Sequence, residues 1–385
     1  MKKRGIEMKK SVRRLLSVLL CLAMTLTMCL TFSFGAYAAD GTPQVLPNGA
    51  SITPTAISKE SDTDALKAYV TPKTASNYSE DFTYNINAKK GTLFITYAPT
   101  PGASCYISTI TGASYAGSGT EDSVDYRYYY VPSSGTVKVT FTVYGATGAS
   151  CLFTPYYVGA SKTAKSGKTV LLGSPGSNTA SSVKIKVPSN GYLKVTAADA
   201  MDSYGVNLNT KGFKNWKYLS STNGFTDYIG VKKGTYTLKV KGAELYSVKV
   251  NFVKVKETSA KTSKSRAASI RKGKVNKGLV FVKKTKSDYN QKRVHWYKLK
   301  ITKNQKVTLN VDARKMSDAG STGKLAVTFY GARGQKLTDY VYGGSSKELS
   351  YYTIGLSGNR LKRGTYYIKV ESKDCGNGYY TIKWK

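Results

Sequence analysis

A single histidine, His295, serves a chain of 385 residues, and 22 acidic residues face 59 basic ones. Each scarcity removes chemistry. One imidazole leaves no second histidine for a zinc set or a proton relay. Placed just ahead of the third module's first strand, His295 reads as strand-edge packing. Acidic side chains cluster at Glu121, Asp122 and Asp125, without the spacing and glycine of an EF-hand loop, so they read as a solvated loop. The carboxylate pairs of glycoside hydrolases have little to draw on in the basic part of the chain. No catalytic residue, cofactor or metal is expected, and the protein reads as a non-enzyme.

Cysteine is sparse as well. Cys21 and Cys29 fall in an N-terminal apolar run and lack the preceding small residues of a lipoprotein signal. Cys105 and Cys151 share one module in strand-like contexts, which leaves open a disulfide between them or two buried free thiols. Cys375 sits in a turn, residues 373–378, without a partner in its module.

Only residues 15–34 approach the roughly 20 apolar residues that a membrane span needs. Lys2, Lys3, Arg4, Lys9, Lys10, Arg13 and Arg14 precede that run, and Ala36-Tyr37-Ala38 follows it. A basic segment, an apolar segment and a small-x-small site describe a secretory signal peptide over residues 1–38. A retained membrane anchor is the alternative, which the polar Asp40-Gly41 disfavours. Secretion is expected, to the extracellular space or a non-covalently held place on the cell wall, with no integral membrane association after cleavage. The end Lys383-Trp384-Lys385 offers neither a tail anchor nor a Leu-Pro-x-Thr-Gly sorting motif.

What remains is rich in Tyr, Val, Thr, Gly and Ser and lacks long helix-period stretches, which favours short strands and turns. Two segment types recur three times in the same order. The first begins at Tyr84, Val183 and Tyr297; the second begins at Val131, Val231 and Leu361; a closing strand follows each. Alternation sets the faces: Val183, Ile185 and Val187 point one way, Lys184 and Lys186 the other, and Tyr236, Leu238 and Val240 oppose Thr237, Lys239 and Lys241. A sheet apolar on one face packs on a second sheet to make a sandwich of about 100 residues. Gly234 and Gly364 sit where hairpins call for positive φ. The expected fold is all-β: three tandem antiparallel β-sandwich modules of jelly-roll type after the signal peptide, over residues 40–158, 159–257 and 273–385, with a flexible basic linker at 258–272.

The third module carries a resemblance. Its Trp296-Tyr297-Lys298-Leu299 opening, the Lys362-Arg363-Gly364-Thr365-Tyr366-Tyr367 segment and the final Gly378-Tyr379-Tyr380-Thr381-Ile382-Lys383-Trp384 resemble the bacterial pre-peptidase C-terminal domain. That family is related in form to the collagen-binding domains of clostridial collagenases. The resemblance implies a jelly-roll-like sandwich and an accessory role beside secreted hydrolases. It does not imply proteolysis, and the acidic calcium-binding cluster of the collagen-binding relatives is not seen here.

Charge is uneven. Residues 40–158 carry a net −2, residues 159–258 a net +11 and residues 259–385 a net +22. A cationic exported protein meets polyanions, and such attachment is salt-sensitive and sequence-blind. Teichoic acids and acidic glycans are the expected partners, with nucleic acid bound only non-specifically. The competing reading is that lysine keeps sheet faces and edges soluble. Linker residues Lys261, Lys264, Arg266, Arg271, Lys272 and Lys274 are candidate ligand contacts. So are Phe213, Trp216 and Tyr218, which a loop could present to sugar rings or a peptide; the alternative is a plug under that loop. Thirty-one tyrosines exceed what three small cores need. In adjacent pairs such as Tyr351-Tyr352 and Tyr366-Tyr367 one member must face outward or lie at an edge. The expected function is a non-catalytic secreted binding or surface protein attached to anionic wall polymer or extracellular glycan through modules two and three. An accessory component of a secreted peptidase or hydrolase system, or a structural spacer, are the other readings.

Overall fold

The computed structural model describes residues 43–57, 66–121, 124–201, 204–213, 215–258, 261–281, 294–316, 325–331, 333–342, 347–350, 360–372 and 376–385. The expected signal peptide, Asp122, Cys375 and the Tyr351-Tyr352 pair lie outside these residues.

The chain is all-β, and among the described residues its helical content is one 3-10 turn at Ser221–Asn223. The strands form three pairs of sheets. Each pair has an outer sheet whose first strand is short and parallel to its neighbour. In the first sandwich that sheet runs Ser51–Ile52, Ser79–Ala88, Gly135–Tyr144, Ser104–Thr111. In the second it runs Ser161–Ala164, Ser181–Val187, Gly234–Lys241, Val206–Asn209, Lys217–Leu219. In the third it runs Ala268–Ser269, Val294–Ile301, Gly364–Ser372, Leu325–Tyr330, Lys336–Tyr342. The same order three times is the structural counterpart of the sequence repeat.

The second sheet of each pair forms the seams between sandwiches. Its central strands are Tyr69–Pro72, Ser150–Gly159, Gly91–Pro99 and Val124–Val131 in the first sandwich. They are Thr169–Gly173, Leu245–Lys254, Gly191–Asp199 and Thr226–Val231 in the second, and Asn276–Val280, Gly378–Trp384, Thr308–Met316 and Lys347–Ser350 in the third.

Period-two alternation builds each core. Val183, Ile185 and Val187 are buried with Leu238, Val240, Tyr246 and Val248, while Lys184 and Lys186 are exposed. Tyr84, Phe141 and Phe153 nest in the first core, with Phe141 and Phe153 centroids 4.6 Å apart. Gly234 has φ +148° as its hairpin requires, whereas Gly364 is not among the positive-φ glycines.

The expected linker is a correction. Trp296 N donates to Lys261 O at 2.6 Å, Ala268–Ser269 pairs in parallel with Tyr297 and Lys298, and Ile270 enters the third core. Ile270 O also accepts a bond from Trp384 Nε1 at 3.3 Å. Residues 261–272 therefore belong to the third sandwich. Two apolar anchors, Ala267 and Ile270, are too few to show a hydrophobic period against so many lysines and serines.

Part of the tyrosine surplus lies at the seams. Tyr157 packs in the first core, while its neighbour Tyr156 faces out and stacks on Phe94 at 5.1 Å, beside Leu171, Ala200 and Leu245 of the second sandwich. Thr92 Oγ1 donates to Glu244 O at 2.8 Å, and Tyr130 OH donates to the Glu244 carboxylate at 2.9 Å. At the other seam, Tyr380 is core and Tyr379 faces out, stacked on Tyr192 at 5.2 Å with Lys315 Nζ over both rings. Val255, Leu279 and Phe281 complete that seam. There Gly230 meets the Gly378 backbone so closely that a Cβ on Gly230 would lie 2.8 Å from Gly378 N.

Two outcomes follow from this packing. Gly230→Val forces a side chain against backbone and is expected to cost ~1–3 kcal/mol, read as earlier loss of the third sandwich in limited proteolysis and thermal melts. Burial raises the phenols of Tyr97 and Tyr297 to about 12, above the ordinary value of about 10. A raised folded value means stability is intact below pH 10 and is lost as pH climbs through about 12. Ultraviolet titration should show exposed tyrosines ionising first and the buried ones together with unfolding; one uniform ionisation near pH 10 with the fold intact would contradict it.

Candidate binding surfaces

The outer sheet of the second sandwich has five strands, SKTA, SSVKIKV, GTYTLKVK, VNLN and KYL, with no acidic residue in any of them. Register aligns its lysines. Lys186 lies opposite Thr235 and Lys184 opposite Thr237, and Lys239 and Lys241 continue along the neighbouring strand. Lys184 and Lys239 are thus diagonal neighbours, about 7–8 Å apart. Successive same-face residues on a strand are about 7 Å apart. Lys186, Lys184, Lys239 and Lys241 therefore form one diagonal cationic track about 20 Å long. Its steps fall within the Debye length of about 8 Å at physiological salt, so the charges act together on a polyanion. Ser182, Thr237, Asn207 and Asn209 flank the track with hydrogen-bonding groups.

The track ends on aromatics. Lys241 Nζ sits 4.7 Å from the Trp216 ring centre, and Tyr218 is in register with Asn207, itself opposite Lys241. Trp216 is 38% exposed and Tyr218 is 56% exposed. Phe213 is a correction: it is 0% exposed and belongs to the second core. Gly212, at φ +104°, turns the chain, and Phe213 N donates to Thr210 O, which swings the ring inward. The expected aromatic trio is thus a pair plus a core plug.

The remaining candidate cations line the third sandwich. Lys261, Arg266, Arg271, Lys272 and Lys274 are exposed. Lys264 is half-buried over the rings of Tyr330 and Tyr367, at 5.5 and 4.9 Å, and Lys272 Nζ lies 6.0 Å from the Trp384 ring. Lys264 lies over outward rings of the outer sheet and Lys272 beside Trp384 of the seam sheet, so both contribute packing as well as charge. The open lysine track of the second sandwich was missed as a site because each strand alone shows only ordinary solvated lysines. Two lysine-alternating, acid-free strands in one repeat were the available signal.

Other candidates resolve into structure. His295 lies within the strand Val294–Ile301 rather than ahead of it, buried, with Nδ1 2.7 Å from Tyr380 OH, which is 2.8 Å from Tyr297 OH. Cys105 and Cys151 are free, buried thiols on opposite sheets of the first sandwich, and no disulfide joins them. Burial first, and then Cys105, pushes the Cys151 thiol well above its ordinary value. Asp125 accepts a hydrogen bond from Thr120. Among the described residues no group of three His, Cys, Asp or Glu side chains could hold a metal ion.

No family model matches the sequence, and no curated protein does. Solved structures with some similarity include the pre-peptidase C-terminal domain of a Bacillus anthracis collagenase, at 16% identity and TM-score 0.23 over 34% of this chain and 100% of that one. A carbohydrate-binding module of the β-sandwich superfamily shows 10% identity and TM-score 0.18 over 57% and 92%. The CUB1-EGF-CUB2 region of human MASP-1/3 shows 8% identity and TM-score 0.18 over 56% and 99%. These values transfer no ligand, residue role or activity.

The two aromatic environments predict opposite behaviour. Phe213→Ala empties a core site and is expected to cost ~3–5 kcal/mol. Trp216→Ala removes a surface ring and one cation–π contact, about 1 kcal/mol or less. Denaturant unfolding of both variants checks this, and equal costs would place Trp216 in the core as well.

Proposed function

We propose that this protein is a secreted, non-catalytic binding protein that holds an anionic polymer along the outer sheet of its second sandwich. The observation that carries the reading is the acid-free sheet with Lys186, Lys184, Lys239 and Lys241 in one open track. Electrostatic attachment needs aligned cations and no competing carboxylate, and gains free energy by releasing condensed counterions. Exposed Lys261, Arg266, Arg271 and Lys274 on the third sandwich add longer-range attraction. The first sandwich region, at net −2, stays out of the contact. A wall polymer of the poly(glycerol phosphate) type fits, because evenly spaced phosphates match a repeating cationic track; nucleic acid would bind without sequence preference.

The test is a salt titration of residues 39–385 binding poly(glycerol phosphate). Wild-type affinity should fall steeply with salt. Replacing Lys184, Lys186, Lys239 and Lys241 with Ser should lower the log–log salt slope by about 3, at about 0.7 per cation for a single-stranded polyanion, without changing the melt. Salt-insensitive binding would remove the electrostatic account, and an unchanged slope in the variant would remove the track as its site.

A further inference from the structure

The outer sheet of the first sandwich occupies the same topological place as the lysine track and carries different chemistry. At one end stand three tyrosines. Tyr106 and Tyr144 lie nearly parallel, with centroids 5.9 Å apart and hydroxyls 3.3 Å apart, and Tyr78 packs edge-on to Tyr144 at 5.3 Å. Tyr78 is 82% exposed and Tyr106 41% exposed, so ring surface faces water beside the strand ends. From there a ladder of hydroxyls and amides runs down the sheet. Thr142 Oγ1 donates to Asp81 at 2.7 Å, the Thr83 and Thr140 hydroxyls are 2.9 Å apart, and Thr136 Oγ1 donates to Asn87 at 3.2 Å. Asp81 and Lys138 are the two charged side chains on this face of the three long strands, and they cancel. From Tyr144 to Thr136 the face is about 27 Å long.

We infer that this face is a second binding site, for a neutral glycan chain. Its chemistry excludes the alternatives in turn. A polyanion finds no net positive charge. A peptide adding as a strand would use the backbone of the edge strand Ser104–Thr111 and leave the ring faces and the cross-strand ladder unused. A chain of neutral sugars uses both. Its C–H faces lie on exposed aromatic rings, which are amphipathic contact surfaces. Its hydroxyls exchange hydrogen bonds with Thr and Asn groups that still hold spare donor or acceptor capacity after pairing with each other. The molecule then carries two sites of unlike chemistry on equivalent sheets, one charged and one neutral.

The test titrates residues 39–385 with hexamers of β-1,4-linked glucose, α-1,4-linked glucose and β-1,4-linked N-acetylglucosamine by calorimetry, at low salt and in 0.5 M-range salt (on the order of a 4 Å Debye length). At least one hexamer is expected to bind, with affinity changed less than about twofold by the salt, as a neutral ligand requires. Tyr78→Ala and Tyr144→Ala should each weaken it by about tenfold or more, on the scale of one lost stacking contact. Because Tyr78 is largely exposed, its variant should melt as the wild type does. The variant lacking the four track lysines should bind the hexamer unchanged. Failure of all three hexamers, undiminished binding by Tyr78→Ala, or displacement of the hexamer by a proline-rich decapeptide would each overturn the assignment.

Discussion

The molecule depends on one sheet that has neighbours on both sides. In the second sandwich the strands Thr169–Gly173, Leu245–Lys254, Gly191–Asp199 and Thr226–Val231 turn one face into their own core. Their other face gives Leu171 and Leu245 to the first sandwich, and Tyr192 and Gly230 to the third. A β-strand has only two faces, so a sheet covered at both ends of its outward face has little left to offer a ligand. The seam sheets of the flanking sandwiches each give part of their outward face to the second. The outer sheets keep an open face, and there the three copies diverge: neutral and aromatic in the first, cationic in the second, and with Lys264 laid over Tyr330 and Tyr367 in the third.

That division gives the charge asymmetry a structural meaning. The net +11 of residues 159–258 and +22 of residues 259–385 could have been spread as a solubilising coat, and on the third sandwich part of it lies over aromatic rings at Lys264 and Lys272. On the second sandwich, strand register turns two short alternating patterns into a continuous line. The distinction matters energetically, because cations within one Debye length act on a polyanion as a set, whereas scattered ones are screened individually.

Much of this was legible in the sequence. Alternation at Val183-Lys184-Ile185-Lys186-Val187 identifies both faces of its strand correctly, since period two is a local property. The threefold repeat was legible, and so was the need for one member of the Tyr366-Tyr367 pair to leave the core, since Tyr366 is core and Tyr367 lies under Lys264. Register was not, because it depends on which residues of distant strands meet, so the alignment of Lys184 with Lys239 was invisible. Sequence left Phe213 open between a loop contact and a core plug, because Gly212 reverses the chain at a single residue, too short a feature for any pattern. The segment at 261–272 was misread because a two-residue parallel strand and two apolar anchors carry almost no periodic signal.

The central claim is that polyanion contact is confined to one track rather than diffused over a basic surface. Lysine acetylation footprinting of residues 39–385, with and without saturating poly(glycerol phosphate) and read by mass spectrometry, tests it directly. The account predicts that Lys184, Lys186 and Lys239 lose reactivity together while Lys138 on the first sandwich keeps it. Protection confined to the third sandwich, or distributed evenly over the exposed lysines, would contradict it.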